Sequence, residues 1–431
     1  MINQETAINY EEEIRQLRLA VRELSVLNDI ATAITSTQSV EKIVEQIVHK
    51  SVRHFQVEQC AVQLPDEQND DNPFQTMVRK QDSRYNNLPY RLDSQLTGWM
   101  LRNKSPLLIN DFNADQRIRL HSDDGFPVHT LLSVPMMLKG KMIGLITLFN
   151  KQDKEGFTPN DQRLLSIIAA QSAHVIENAR LYENEKLLMR YQEDMRMANQ
   201  IQQRLLPSTD PKVPGYEICG KSIPAKEVGG DYYDFMERGD NRLAFCLGDI
   251  SGKGMPASLL MANLQATLRG QSGIYPDCHK CIAITNTLMY HSTDDNKFAT
   301  LFYGILDHEN NELTYCNAGH NQPFLFRHNG DVERLNTGGL VVGFVPGVAY
   351  EEATIPMQVD DLLVVFSDGI TEARNRKRED YDDERLRQVV LGNRHKPALE
   401  LMKLIYQSVY DFTETTQQTD DMTLLIIKRT N

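Results

Sequence analysis

The chain has 431 residues, 41% hydrophobic and 24% charged, with a formal net charge of −13. That length holds two or three domains with cores of their own, and the composition is that of an ordinary globular protein. The acidic balance argues against nucleic acid or an anionic membrane as partner, and no apolar run is long enough to span a bilayer, so neither is expected.

The opening residues MINQETAINYEEE have neither a basic segment nor an apolar one, so no secretory signal is expected. Six scattered cysteines read as a reducing, cytoplasmic setting rather than a disulfide framework. Cys278 and Cys281 have C-x-x-C spacing, but no second pair follows for zinc and no thioredoxin-like pattern surrounds them. They read as two positions of an amphipathic helix.

Residues 1–25 read as a coiled-coil helix. Ala7, Tyr10, Ile14, Leu17, Val21 and Leu24 alternate in steps of three and four, and Asn28 continues the seam as a polar position of the kind that fixes register in dimers. Residues 26–180 read as one α/β domain. A long helix (Ile30 to Phe55) leads to a strand at QCAVQLP, and a polar stretch spans Asp66 to Asn87. A helix around QLTGWMLRN and a strand at PLLIND come next. HTLLSVPMMLKGKMIGLITLFNK then reads as a hairpin turning at Gly140-Lys141.

This order, with TLLSVPM, the hairpin and FTPNDQRLLSIIAAQSAHVIENARLY, resembles a GAF domain, a small-molecule sensor module. Asn150-Lys151, Phe157 and Asp161 match most of the signature of cyclic-nucleotide-binding members, with Gln162 where that signature has Glu. The resemblance implies an unidentified small-molecule or protein signal there. From Asp161 to Leu206 the pattern is helical, with Leu181, Leu188 and Met195 recurring at seven and Tyr191, Ala198 and Leu205 beside them. Residues 181–206 therefore read as a helical stalk, stopped by Pro207. Both helical segments point to a homodimer.

After Pro207 strands end in carboxylates. RLAFCLGD runs up to Asp249, LLVVFSDG up to Asp368, and TDDMTLLIIK starts with Asp420 and Asp421. Asp231 follows two glycines in VGGDYYDF. Asp before Gly is an ordinary turn residue, but acids at the tips of several strands of one domain form an oxygen-only cluster. Such a cluster suits hard divalent cations, Mg²⁺ or Mn²⁺, which can activate water and clamp a phosphoryl group.

GDISGKGMPASLLMA, Gly248 to Ala262, invites a second reading as a phosphate-cradling P-loop. It has three residues, not four, before its Gly-Lys, and Gly254 stands where Ser or Thr would bind Mg²⁺. That reading fails, and Asp249 is the point of the stretch.

The segment from about Gln200 to Arg429 resembles the bacterial branch of the metal-dependent PPM serine/threonine phosphatases, the SpoIIE and RsbU group. ANQIQQRLLP, VGGDYYDF, GDISGKGMPASLLMA, FATLFYGILD, LTYCNAGHNQP, VVFSDGITEARN and TDDMTLLIIK occur in the family's order. The resemblance implies a multidomain α/β protein whose residues 207–431 form an αββα sandwich. It also implies two Mn²⁺ or Mg²⁺ ions and a catalytic pair, Asp231 and Asp249. Asp231 and Asp249 would hold one metal, Asp249 bridging to the second, with the Ile250 carbonyl as a further ligand. Asp368 and Asp420 would complete the second metal, Asp421 competing with Asp420. The implied substrate is a phosphorylated STAS-type anti-sigma-factor antagonist.

Eukaryotic members carry a His after the bridging Asp and an Arg for the substrate phosphate. Here Ser251 and Gly252 stand in the first place and VGGD supplies no Arg, as across the SpoIIE-like branch. His320 reads either as the proton donor or as a structural turn, and Lys253 either as a phosphate partner or as a solvated cation. The rival to an enzyme is a degenerate phosphatase acting as a sensor-controlled scaffold.

Overall fold

The computed structural model describes Ile14, Leu17, Val21 and residues 39–65, 74–81, 94–112, 114–115, 117–118, 128–153, 155–239, 241–293, 297–414, 416 and 418–431. The chain divides into two compact units, Met1–Arg190 and Tyr191–Asn431. Ile14, Leu17 and Val21 of the first seam are helical and exposed; Ala7, Tyr10, Leu24 and Asn28 lie outside the described residues.

In the first unit, the helix Val40–Phe55 buries Val40, Ile43, Val44, Ile47 and Val48, the spacing of one helical face. It ends at Gln56, whose left-handed backbone donates its N–H back to Val52. The sequence placed its start near Ile30; among the described residues it begins at Val40, after Ser39. The strands β1 (Val57–Pro65), β2 (Phe74–Gln81), β3 (Leu107–Ile109), β4 (Leu131–Leu138) and β5 (Lys141–Lys151) form one antiparallel sheet in the order β2-β1-β5-β4-β3.

Two details differ from the sequence expectation. β2 lies inside the stretch read as polar and irregular: FQTMVRKQ pairs with β1 as an edge strand, and an edge needs little apolar signal. The hairpin turns at Lys139-Gly140, not at Gly140-Lys141. Both turn residues are left-handed, with φ 46° and 81°, as a two-residue primed turn requires. Lys141 already belongs to β5, opposite Leu138.

One sheet face packs on Val40–Phe55 and the start of the 45-residue helix Pro159–Gln203. The other packs on the helix Ser94–Asn103 through Leu96 and Met100. Along the long helix, residues 181–194 are exposed on every side, Leu181, Leu188 and Tyr191 included.

The second unit contains two sheets. One runs β13 (Gly338–Gly339), β10 (Glu312–Ala318), β9 (Ala299–Asp307), β8 (Arg242–Ile250), β7 (Tyr232–Glu237), with β14 (Ala353–Pro356) paired to β10. The other runs β12 (Val332–Arg334), β11 (Phe324–Phe326), β15 (Leu362–Phe366), β16 (Met422–Arg429), β6 (Tyr216–Ile223). Phe245, Leu247, Phe302, Leu363, Val365 and Leu425 fill the space between the sheets. The helices Met255–Ser272 and Cys278–Tyr290 cover the outer face of the first sheet. Asp382–Asn393 and Ala398–Thr413 cover that of the second. The result is the expected αββα sandwich. Cys278 and Cys281 are buried in it beside Cys246 and Cys316, all as free thiols. Burial pushes the Cys281 thiol up to about 11 and disfavours thiolate chemistry.

Candidate active site

Strand alternation explains how distant aspartates reach one edge. Tyr233, Leu247, Val365 and Leu425 point between the sheets. Two residues earlier or later on the same strands, the same face is presented by Asp231, Asp249, Ser367 and Thr423. Asp231 precedes β7, Asp249 is the penultimate residue of β8, Asp368 opens the short helix Asp368–Thr371 after β15, and Asp420-Asp421 precede β16.

Their hydrogen bonds separate them by role. Thr423 donates its hydroxyl to Asp231 Oδ2, and Asp231 is buried. Asp421 accepts from backbone amides across the sandwich: Ala225 N at 2.8 Å on Oδ1, Gly230 N at 2.6 Å and Asp231 N at 3.3 Å on Oδ2. Both its oxygens are thus spent on the loop that carries Asp231. Asp420 keeps its carboxylate at the surface, where Lys253 Nζ meets Oδ2 at 2.6 Å. Lys253 also donates to Thr419 O at 2.7 Å.

The two glycines before Asp231 are required by close approach. A Cβ on Gly229 would stand 2.4 Å from Asp421 Oδ2, and one on Gly230 would stand 3.2 Å from the carbonyl oxygen of Ile250. The Ile250 carbonyl therefore faces the loop that carries Asp231, while its side chain is buried among the outer helices.

The carboxylates repel one another. Burial first, and then Asp249 and Asp421, hold the Asp231 carboxyl well above the usual range. Burial and the charges of Asp368, Asp420 and Asp421 push Asp249 up to about 7. Asp368 is raised by burial and by Asp420 and Glu372, with Lys253 opposing. Such a group is stabilised by added positive charge. Its donors are all oxygen, which fits a hard divalent cation and excludes a thiolate–imidazole zinc site. Among the described residues, no three His, Cys, Asp or Glu side chains converge closely enough to hold an ion as they stand.

The other residues singled out by sequence fall as follows. His320 is buried, with Nδ1 2.8 Å from the Thr300 hydroxyl. Its backbone N–H binds Asn317 Oδ1 at 2.8 Å. Burial lowers it to about 4, so it is a neutral turn residue at ordinary pH. Ser251 continues the strand: its N–H donates to Phe298 O at 2.9 Å and its hydroxyl accepts from Phe298 N at 3.0 Å. In the first unit, Lys151 pairs with Asp161 at 2.5 Å, Asp161 accepts from Thr158 N, Phe157 is buried, and Asn150 donates to Glu58. These signature residues brace the sheet against the helix Pro159–Gln203.

Three residues were missed. Gln202, near the end of the long helix, is buried and grips Gly229 on both sides: Nε2 donates to its carbonyl at 2.7 Å and Oε1 accepts its N–H at 3.0 Å. Asp234 is fully buried, bound by Arg269 and by the Tyr232 hydroxyl at 2.6 Å. Thr423 fixes Asp231. Thr423 and Asp234 were legible from alternation, whereas Gln202 carries no sequence signal beyond its place in ANQIQQRLLP.

An αββα sandwich with carboxylates gathered at one edge defines the architecture of PP2C-type phosphatase domains. The SiaA PP2C domain of Pseudomonas aeruginosa shares this fold, with a TM-score of 0.50 and 17% identity over 57% of this chain and 99% of that one. Residues 239–430 match the family described as Stage II sporulation protein E (SpoIIE), and residues 37–177 match the GAF domain family. The chain carries a GAF domain followed by a SpoIIE phosphatase domain, and is homologous to the RsbU and SpoIIE phosphatases. Protein IcfG of Synechocystis is 28% identical over 263 residues, 55% of this chain and 41% of that protein. Phosphoserine phosphatase RsbU of Bacillus subtilis is 28% identical over 259 residues, 58% of this chain and 75% of that one. The chain thus spans less than half the length of the first of these. No helix among the described residues is long and apolar enough to cross a membrane.

Proposed function

We propose that this protein is a sensor-regulated serine/threonine phosphatase that hydrolyses a phosphomonoester on a partner protein. The observation that carries the reading is the gathering of Asp231, Asp249, Asp368 and Asp420 at one edge of the sandwich, with burial and mutual repulsion raising Asp231, Asp249 and Asp368. Asp231, Asp249, the Ile250 carbonyl, Asp368 and Asp420 would hold two Mn²⁺ or Mg²⁺ ions. Such ions, when bound, lower the pKa of water and neutralise phosphate oxygens. Asp421, with both oxygens on backbone amides, anchors the loop rather than competing with Asp420. Thr423 orients Asp231, and Lys253 meets Asp420 at the solvent side.

The partner we assign is a phosphorylated STAS-type anti-sigma-factor antagonist, supported by the homology to RsbU. The GAF domain is assigned the signal. Gln59 and Gln63 are buried on the sheet face toward Ser94–Asn103, with amide atoms that find no partner among the described residues; a polar ligand would satisfy them. The exposed apolar positions of residues 181–194 support a dimer through the helix.

Hydrolysis of an aryl phosphate by the purified chain, with and without Mn²⁺, tests the reading. Metal-dependent turnover abolished by Asp249→Asn and by Asp368→Asn is expected. Absence of turnover in the wild type would replace the enzyme by a partner-binding scaffold.

A further inference from the structure

The loop Gly339–Val348 is pinned to the sandwich through its backbone and through Val342, and leaves Leu340, Phe344 and Val345 exposed. Val342 is buried and bonded to Ala299 in both directions, N–H to carbonyl, at 2.8 Å each. Asn286, itself buried, clamps the next turn: Oδ1 accepts Gly343 N at 2.7 Å and Nδ2 donates to Val345 O at 2.9 Å. On this fixed frame Leu340 is 56% exposed, Phe344 49% and Val345 38%. Isolated exposed apolar residues need no explanation; here three stand on one pinned loop, whose backbone is already ordered for a contact.

Its position says what it meets. Ala299 pairs with Ile250, the residue after Asp249. Phe344 packs edge-on against Phe298, 6.0 Å between centroids, and Phe298 is bonded to Ser251 through both backbone groups. The surface is thus continuous with the Ser251–Gly254 loop. Two ammonium groups attend that loop, Lys253 and Lys297, the latter 3.4 Å from Ser251 O. A partner seated here presents apolar residues to the loop and an anionic group to the lysines and the site beside them.

We propose that Leu340, Phe344 and Val345 dock apolar residues flanking the phosphorylated serine or threonine of the protein substrate, so that the enzyme selects phosphosites in apolar surroundings. This rests on the phosphatase reading above. Exposed aromatic anchors on a preorganised backbone are where interfaces concentrate their energy.

Two phosphoserine peptides serve as probes, one with Leu and Ile around the phosphoserine and one with Ser and Gly there. Wild-type kcat/KM should favour the apolar peptide by about tenfold, as a few buried apolar contacts provide. Leu340→Ser/Phe344→Ser should reduce that preference to within about twofold while leaving Mn²⁺-dependent aryl phosphate hydrolysis unchanged. Leu340→Ser alone, remote from the Phe298 contact, should give an intermediate preference, and Phe344→Leu should retain it. No wild-type preference, or equal loss on peptide and aryl phosphate, overturns the docking role. If no substrate turns over, the phosphatase reading has failed; fluorescence anisotropy of the two peptides then tests docking, and equal binding by wild type and double variant overturns it. A dimer that the double variant dissociates in size-exclusion chromatography would reassign the surface to self-association.

Discussion

Asp249→Asn should abolish turnover and yet make the metal-free protein more stable. The raised carboxyl of Asp249, at about 7 against an ordinary 3.8, means the folded state binds its proton more tightly than the unfolded chain does. Its contribution to stability is complete below pH 4 and is lost as pH rises through 7. At about 1.36 kcal/mol per pH unit, the ceiling of that loss is about 4 kcal/mol. The carboxylates titrate as a group, so removing one charge recovers about half of it, about 2 kcal/mol. For a domain of this size that corresponds to a rise of about 4–8 °C in melting temperature. The assay is a thermal melt of the full chain in EDTA, read at the transition that Mn²⁺ shifts in the wild type. The gap between variant and wild type should be widest at pH 8 and close by pH 4. Equal melting temperatures at pH 8, or a less stable variant, would refute the claim that the site is an uncompensated cluster of charge.

Gln202→Leu strands the buried N–H and C=O of Gly229, each costing about 1–3 kcal/mol. The half-activating Mn²⁺ concentration should rise at least about tenfold as the Asp231 loop loosens, and Gln202→Glu should not rescue it because the Gly229 carbonyl loses its donor. Gly229→Ala drives a Cβ to 2.4 Å from Asp421 Oδ2. Aryl phosphate turnover should fall at least tenfold, since about 1.4 kcal/mol of displaced transition-state contacts suffices. Arg269→Ala leaves Asp234 buried without its cation; denaturant titration should show a loss of about 2–3 kcal/mol, partly restored by Arg269→Lys. Lys253→Ala removes a half-exposed ion pair, so stability should move by less than about 0.5 kcal/mol. It should lower the half-activating Mn²⁺ concentration about two- to fivefold by freeing Asp420 of a competing cation.

The acid-tipped strands were legible because they follow from local rules, whereas the αββα sandwich came from the resemblance to the phosphatase family. Apolar runs of strand length give the sheets, and a carboxylate at a strand tip is carried to the edge whatever the connections. The hairpin was legible too, but its turn was placed one residue late, because a Gly draws the eye while the primed geometry also asks Lys139 to be left-handed. β2 was lost because FQTMVRKQ lacks the apolar run by which the other strands were read, and at the edge of the sheet it pairs on one side only. What local rules cannot supply is which of two adjacent acids is already occupied. Asp420 and Asp421 are interchangeable on paper; in the fold one meets Lys253 and the other meets three amides contributed from nearly two hundred residues earlier.

That pairing also explains why Gln202 left no trace in the sequence. Its partner is a glycine backbone, so no complementary side chain marks the contact. Yet Gly229 stands against Asp421, and Asp421 holds the amides of Gly230 and Asp231. A buried amide at the end of the long helix is thereby joined, through two backbone steps, to the carboxylate that Thr423 orients. Any displacement of that helix end must either break two buried hydrogen bonds or carry the Asp231 loop with it.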